Sequence, residues 1–191
     1  SWTTTAEVAG DGIDNDNNGR IDDVHGWEFV NHDAHPNNDN GHGTHVAGTI
    51  AAVGNNNIGI IGVSPRATIM PLKGIAKDGW GDDRGLAEAL YYAAANGAKV
   101  INNSWGGAGS LTQNVVRDAI IYAHDVKGCV VVAAAGNDGV SDITGFFPAD
   151  MNEVITVGAS DPYDRNSISL NRKSVLRPDH WLGYALALPP S

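Results

Sequence analysis

The chain has 191 residues, 42% of them apolar, and 24 glycines, enough to bury one core in a fold rich in tight turns. Its formal charge of -10 sets up a field that repels nucleic acid and anionic membrane, so neither is expected as a partner. The acid is concentrated: residues 1–40 hold nine Asp or Glu against a single Arg, Arg20, a local density that calls for a bound cation.

The run DNDNNGRIDD at 14–23 presents oxygen donors in the alternating pattern of an EF-hand loop. Asp14, Asp16 and Asn18 stand at positions one, three and five, Gly19 at six, the Arg20 carbonyl at seven and Asp22 at nine. Hard oxygens so arranged fit Ca2+. The twelfth position is His25 where a bidentate Glu belongs, so Asp23 or Asp11 is expected to complete the shell; the alternative is a solvated acidic turn. Five of the seven histidines fall between His25 and His45, which invites a zinc reading, but the spacing lacks HExxH and zinc is not expected.

VHGWEFV (24–30) reads as a strand, and a polar turn leads to a helix starting near His42. ATIMPL (67–72), KVINNS (99–104), CVVVAA (129–134) and VITVGA (154–159) are short β-rich runs, apolar enough for parallel strands covered on both faces. LAEALYYAAANG (86–97) and LTQNVVRDAIIYAHDVKG (111–128) carry apolar residues at helical spacing, and each ends in a glycine suited to a left-handed cap. Alternating strands and helices predict an α/β fold with a parallel sheet, whose sites gather at the carboxyl ends of the strands. SWGG (104–107) and GNDG (136–139) lie at that edge. Cys129, the single cysteine, sits in an apolar run and reads as a small buried hydrophobe. No stretch of 18 apolar residues predicts a membrane span, and the first residues lack the basic and apolar regions of a signal peptide.

HGTHVAGT at 42–49, preceded by Asn40 and Gly41, and AAAGN at 133–137 resemble the histidine and oxyanion-hole signatures of the subtilisin-like serine proteases. The resemblance covers residues 11–169, including VINNSWGG at 100–107 and VITVGASDPYDRNSIS at 154–169. It implies a three-layer α/β sandwich, a parallel sheet flanked by helices, truncated at both ends. The family's DTG or DSG aspartate motif and its GTSxA serine motif do not occur. A shortened reading of a longer protein is therefore expected: residues 1–169 as a partial peptidase domain with an acidic calcium-type insertion at 11–25, and 170–191 as a divergent tail, shifted in frame or joined from elsewhere.

The resemblance implies His42 as the general base and His45 as a packing residue. A helix amino terminus disfavours imidazolium and keeps such a ring ready to accept a proton; the structural alternative is a capping or core histidine. Asn137 is implied as the oxyanion donor, although an Asn-Asp-Gly turn follows many strands. Ser104, Trp105 and Gly106 are implied as one wall of a substrate groove and Ala134, Ala135 and Gly136 as the other, binding an extended polypeptide by strand addition. Walls of small residues read as a roomy apolar pocket for the residue before the scissile bond. Ser104 lacks the surroundings of a nucleophile. A weaker second calcium candidate is Asn56 in the loop GNNNIGI at 54–60. Secretion and a monomeric state are further implications. The expected activity is that of a serine endopeptidase, with this chain inactive alone for lack of the serine and the aspartate; the alternative is a non-catalytic, calcium-dependent peptide-binding module.

Overall fold

A computed structural model describes residues 1–108, 114–137 and 143–159, and the backbone of 185–188. In chain order the elements are β1 (Trp27–Glu28), α1 (His42–Ala51), β2 (Met70–Lys73), α2 (Asp83–Ala95), β3 (Val100–Asn103), β4 (Gly107–Ala108), α3 (Asn114–Ile121), β5 (Val130–Ala134), β6 (Phe146–Phe147), β7 (Val154–Val157) and β8 (Ala185–Leu188). A π-helical turn, Tyr122–Val126, extends α3. The main sheet has six strands in the order β1-β2-β8-β3-β5-β7, and β4 and β6 form a separate two-stranded ribbon.

The α/β architecture expected from the alternating pattern is the one observed. β1 pairs with β2, β3 with β5 and β5 with β7, all parallel. The helix signals lie where the sequence puts them. Asp82 caps α2 by accepting from the Gly85 N–H at 2.8 Å, and Gly97 and Gly128 leave the two helical segments at φ +81° and +69°.

Three features differ from expectation. The strand read over 24–30 shrinks to two residues, because the chain turns sharply on both sides of it. Gly26 adopts φ +112° with its Cα so close to Pro71 that a Cβ would lie 2.1 Å from the Pro71 carbonyl oxygen, and Glu28 and Asp33 exchange backbone hydrogen bonds as the chain doubles back. β8, from the divergent tail, is the one antiparallel member among the described strands of this sheet, inserted between β2 and β3 with Met70 opposite Ala187 and Val100 opposite Leu188. The remainder of the tail, 170–184 and 189–191, lies outside the described residues.

The third difference concerns the faces of the sheet. One face is packed: Ile101, Val131 and Ala133 are buried together with Leu90, Ala93 and Ala94 of α2 and Val116, Ala119 and Ile120 of α3. The other is partly bare, with Val130 42%, Ile155 57% and Val157 52% exposed. The strands at this edge are thus apolar on both faces but covered on one. Cys129 is buried as expected; its thiol donates to the Ala98 carbonyl at 3.1 Å, and burial pushes its pKa up, which disfavours the thiolate.

Candidate active site and acidic loop

β3 and β5 run side by side with Asn103 opposite Ala133, so the segments that follow them leave the sheet as neighbours. Those segments are Ser104–Gly106 and Ala135–Asn137, the second beginning with the Ala135 N–H donating to the Val157 carbonyl at 2.9 Å. The Ser104 hydroxyl accepts from the Asn102 side-chain amide at 2.8 Å. The indole of Trp105 turns inward: it is buried and packs on Phe147 with ring centroids 6.5 Å apart. What residue 105 offers a groove is therefore its backbone. Asn137 is exposed three residues beyond β5.

His42 is the first residue of α1, and the turn before it is tightly held. Gly41, at φ 94°, occupies the cap position; the Asn38 side-chain oxygen accepts from the N–H groups of Asn40 and Gly41 at 3.2 and 2.8 Å. The Asn38 amide donates to the Thr44 hydroxyl at 2.6 Å, and Asn40 donates to the Lys77 carbonyl at 3.2 Å. Asp39 is gripped by Lys73, whose Nζ lies 3.1 Å from Asp39 Oδ2 and 2.9 Å from Glu28 Oε1. Thr49 and Ile50, near the end of α1, line a hollow of about 280 Å³ together with Val100, Asn102 and Val132. A larger hollow of about 770 Å³ lies elsewhere, beside the acidic loop, lined by Arg20, His25, Trp27, His32, His35 and Glu88 among others; no residue assigned to catalysis borders it.

In the acidic loop, Asp14 accepts from the N–H groups of Asn18 and Gly19 at 3.0 and 2.8 Å, and Asp16 accepts from the Asn18 N–H and side-chain amide at 3.0 and 3.1 Å. Among the described residues, one group of three carboxylates has oxygens within 4.8 Å of one another, that of Glu7, Asp14 and Asp16. Glu7 is buried and organises the loop: its Oε1 accepts from the N–H groups of Asn15 and Asp16 at 2.7 and 2.9 Å, and its Oε2 from that of Asp22 at 3.1 Å. Sequence reasoning missed it because it precedes the loop by seven residues; the isolated acid in TTTAEVAG is the only signal.

The other predicted ligands divide. Asn18 stays in the loop, its side-chain oxygen accepting from the Arg20 N–H at 2.8 Å. Asp22 turns away, accepting from the N–H groups of Gly10 and Gly12 at 2.7 and 3.3 Å. Neither alternative joins the cluster. Asp11 accepts from the Ile13 N–H and the Asn15 amide, and Asp23 is fully buried against the Tyr92 hydroxyl at 2.7 Å. Burial, then the bond to Asp23, raises the Tyr92 pKa far above its usual 10.0. The Arg20 guanidinium lies 5.1 and 5.2 Å from the ring centroids of Phe29 and Tyr92 and 3.6 Å from Glu88, tying the loop to α2. In the 54–60 loop the Asn56 side-chain oxygen accepts from the Ile58 N–H at 3.1 Å.

Residues 5–181 match the family model described as the subtilase family. The chain is 41% identical over 162 residues to thermitase of Thermoactinomyces vulgaris, covering 83% of this chain and 56% of that protein. It is 46% identical over 142 residues to the thermophilic serine proteinase of Bacillus sp. (strain AK1), covering 74% and 34% respectively. Among solved structures, sphericase superposes with a TM-score of 0.57 at 36% identity, over 64% of this chain and 40% of that one. The chain thus spans about half or less of the length of these relatives. With 177 consecutive residues under the family model, the chain belongs to the subtilase family.

Proposed function

We propose that this chain supplies the general base and the oxyanion donor of a serine-type endopeptidase acting on polypeptides in extended conformation. The observation that carries the reading is the parallel pairing of β3 and β5, which sends Ser104–Gly106 and Ala135–Asn137 out of the sheet side by side. His42 takes a proton from a nucleophile. Asn137 donates to the oxygen that becomes negative in the tetrahedral intermediate, a contribution typically worth about 2.7–4 kcal/mol in the transition state. The backbone of 104–106 pairs with the substrate main chain, and 134–136 faces it across the groove.

Glu7, Asp14 and Asp16, with Asn18 and the Arg20 carbonyl, fit Ca2+: the donors are hard oxygens, three of them carboxylates already close together. The ion would neutralise the carboxylates and fasten the loop. Secretion and a monomeric state belong to the same reading.

The sequence contains no GTSxA serine motif, so no acyl-enzyme forms on this polypeptide and His42 and Asn137 are idle without it. Incubation with a fluorophosphonate probe is expected to leave the 191-residue chain unlabelled; specific labelling would overturn this.

A second reading, a peptide-binding module without catalysis, draws support from β8, which makes the tail a paired element of the sheet. Trypsin has sites at Arg172 and Lys173, whereas the bond after Arg177 is to Pro178 and resists it. Under this second reading the native chain keeps 170–191 through mild digestion; quick loss of that segment from an otherwise intact chain removes its support.

A further inference from the structure

The two walls of the groove are built of small residues, but a third segment fills the space between them. Ile143 accepts from the Phe146 N–H at 2.8 Å, and β6 then pairs antiparallel with β4, Gly107 opposite Phe147 and Ala108 opposite Phe146. This pairing brings the Phe146 ring to the glycines of both walls at once. A Cβ on Gly106 would lie 2.8 Å from Phe146 Cε1, and a Cβ on Gly136 3.1 Å from Cζ and 3.3 Å from each Cε. The outer edge of one ring therefore touches both walls, and the ring is only half-buried.

The ring has little room to withdraw. Asp150 donates its N–H to the Phe146 carbonyl at 3.1 Å and accepts from the Gly145 N–H at 3.0 Å. Next along the chain, Phe147 is buried against Trp105, with the Arg117 guanidinium 5.5 Å from its ring centroid. Seating a large side chain between the walls would force this ribbon to shift, and overpacking of that kind is unfavourable.

We propose that Phe146 is a specificity-determining residue, closing the pocket between Ser104–Gly106 and Ala134–Gly136 so that it accepts glycine or alanine and rejects aromatic and long aliphatic side chains. The proposal rests on reading these segments as the peptide groove, and it replaces the roomy pocket that the small residues imply.

The test is fluorescence anisotropy of the 191-residue chain with labelled tetrapeptides that differ only in the last residue, alanine or phenylalanine. The alanine peptide is expected to bind the unaltered chain about tenfold or more tighter, in line with what pocket size alone discriminates. F146G should narrow or invert the ratio, and F146L, which keeps apolar packing, should fall between. Equal or tighter binding of the phenylalanine peptide to the unaltered chain overturns the role of Phe146 and leaves the groove standing. Binding of neither peptide overturns the groove itself, and the proposal with it.

Discussion

Replacing Lys73 with methionine is expected to remove about 3–5 kcal/mol of stability, a large part of the ~5–15 kcal/mol available to a domain of this size. Lys73 closes β2 and is 3% exposed, with one carboxylate on each side: Glu28, also 3% exposed, and Asp39. Asn31 adds a 2.6 Å hydrogen bond to Glu28. Burial by itself would lower the Lys73 pKa, but the hydrogen bonds to Glu28 and Asp39, reinforced by their charges, outweigh it and hold the ammonium above its usual 10.5. The methionine leaves Glu28 as a buried charge without its cation. The double variant K73M/E28Q should regain much of the loss, because it removes the stranded charge as well.

The sign of the pH dependence follows from the raised pKa. The stabilisation from Lys73 is complete below pH 10.5 and is lost as pH rises through the higher folded-state value. Urea unfolding of the chain and of both variants measures these effects. A single variant within 1 kcal/mol of the parent would show that the Lys73 cluster does not hold β1, β2 and the turn before His42 together.

Calcium should produce the second large effect. A ligand at a hundred times its dissociation constant stabilises the state that binds it by about 2.7 kcal/mol. For a chain of this length, at ~2–4 °C per kcal/mol, that is a rise of roughly 5–11 °C in the unfolding midpoint, reversed by chelator. Glu7→Gln should abolish most of the rise although Glu7 lies outside the alternating loop, since its carboxylate completes the cluster with Asp14 and Asp16. Asp22→Asn should leave the calcium-dependent increment nearly intact, because Asp22 lies outside the cluster of Glu7, Asp14 and Asp16. Thermal scans with and without calcium distinguish these outcomes; the same increment in the parent and in E7Q would remove Glu7 from the site.

The elements that were legible in the sequence are those coded by local period. α2 and α3 show apolar spacing and glycine stops, and β2, β3, β5 and β7 show short apolar runs between them. β1 was overextended because its length is set by the approach of Gly26 to Pro71, a contact between distant residues. The two histidine and asparagine motifs were readable as strings, but what packs against the segments around them was not. Gly106 and Gly136 signal space, but Phe146, ten residues beyond Gly136 and brought back by the β4–β6 pairing, packs against both. Glu7 was hidden for the same reason, as a residue that joins a local motif only through the fold. In each case the missing information lies in a tertiary contact that no window of consecutive residues contains.

β8 carries a consequence for the order in which the molecule can assemble. It pairs with β2 on one side and β3 on the other, segments on the order of a hundred residues earlier, and such distant pairings slow folding because the loop must close before any bond rewards it. Until residue 188 has been synthesised, the β1–β2 pair and the β3–β5–β7 trio have facing edges with open backbone donors and acceptors. Nascent chains at high concentration are therefore prone to join one another edge to edge, and refolding should succeed best in dilute solution.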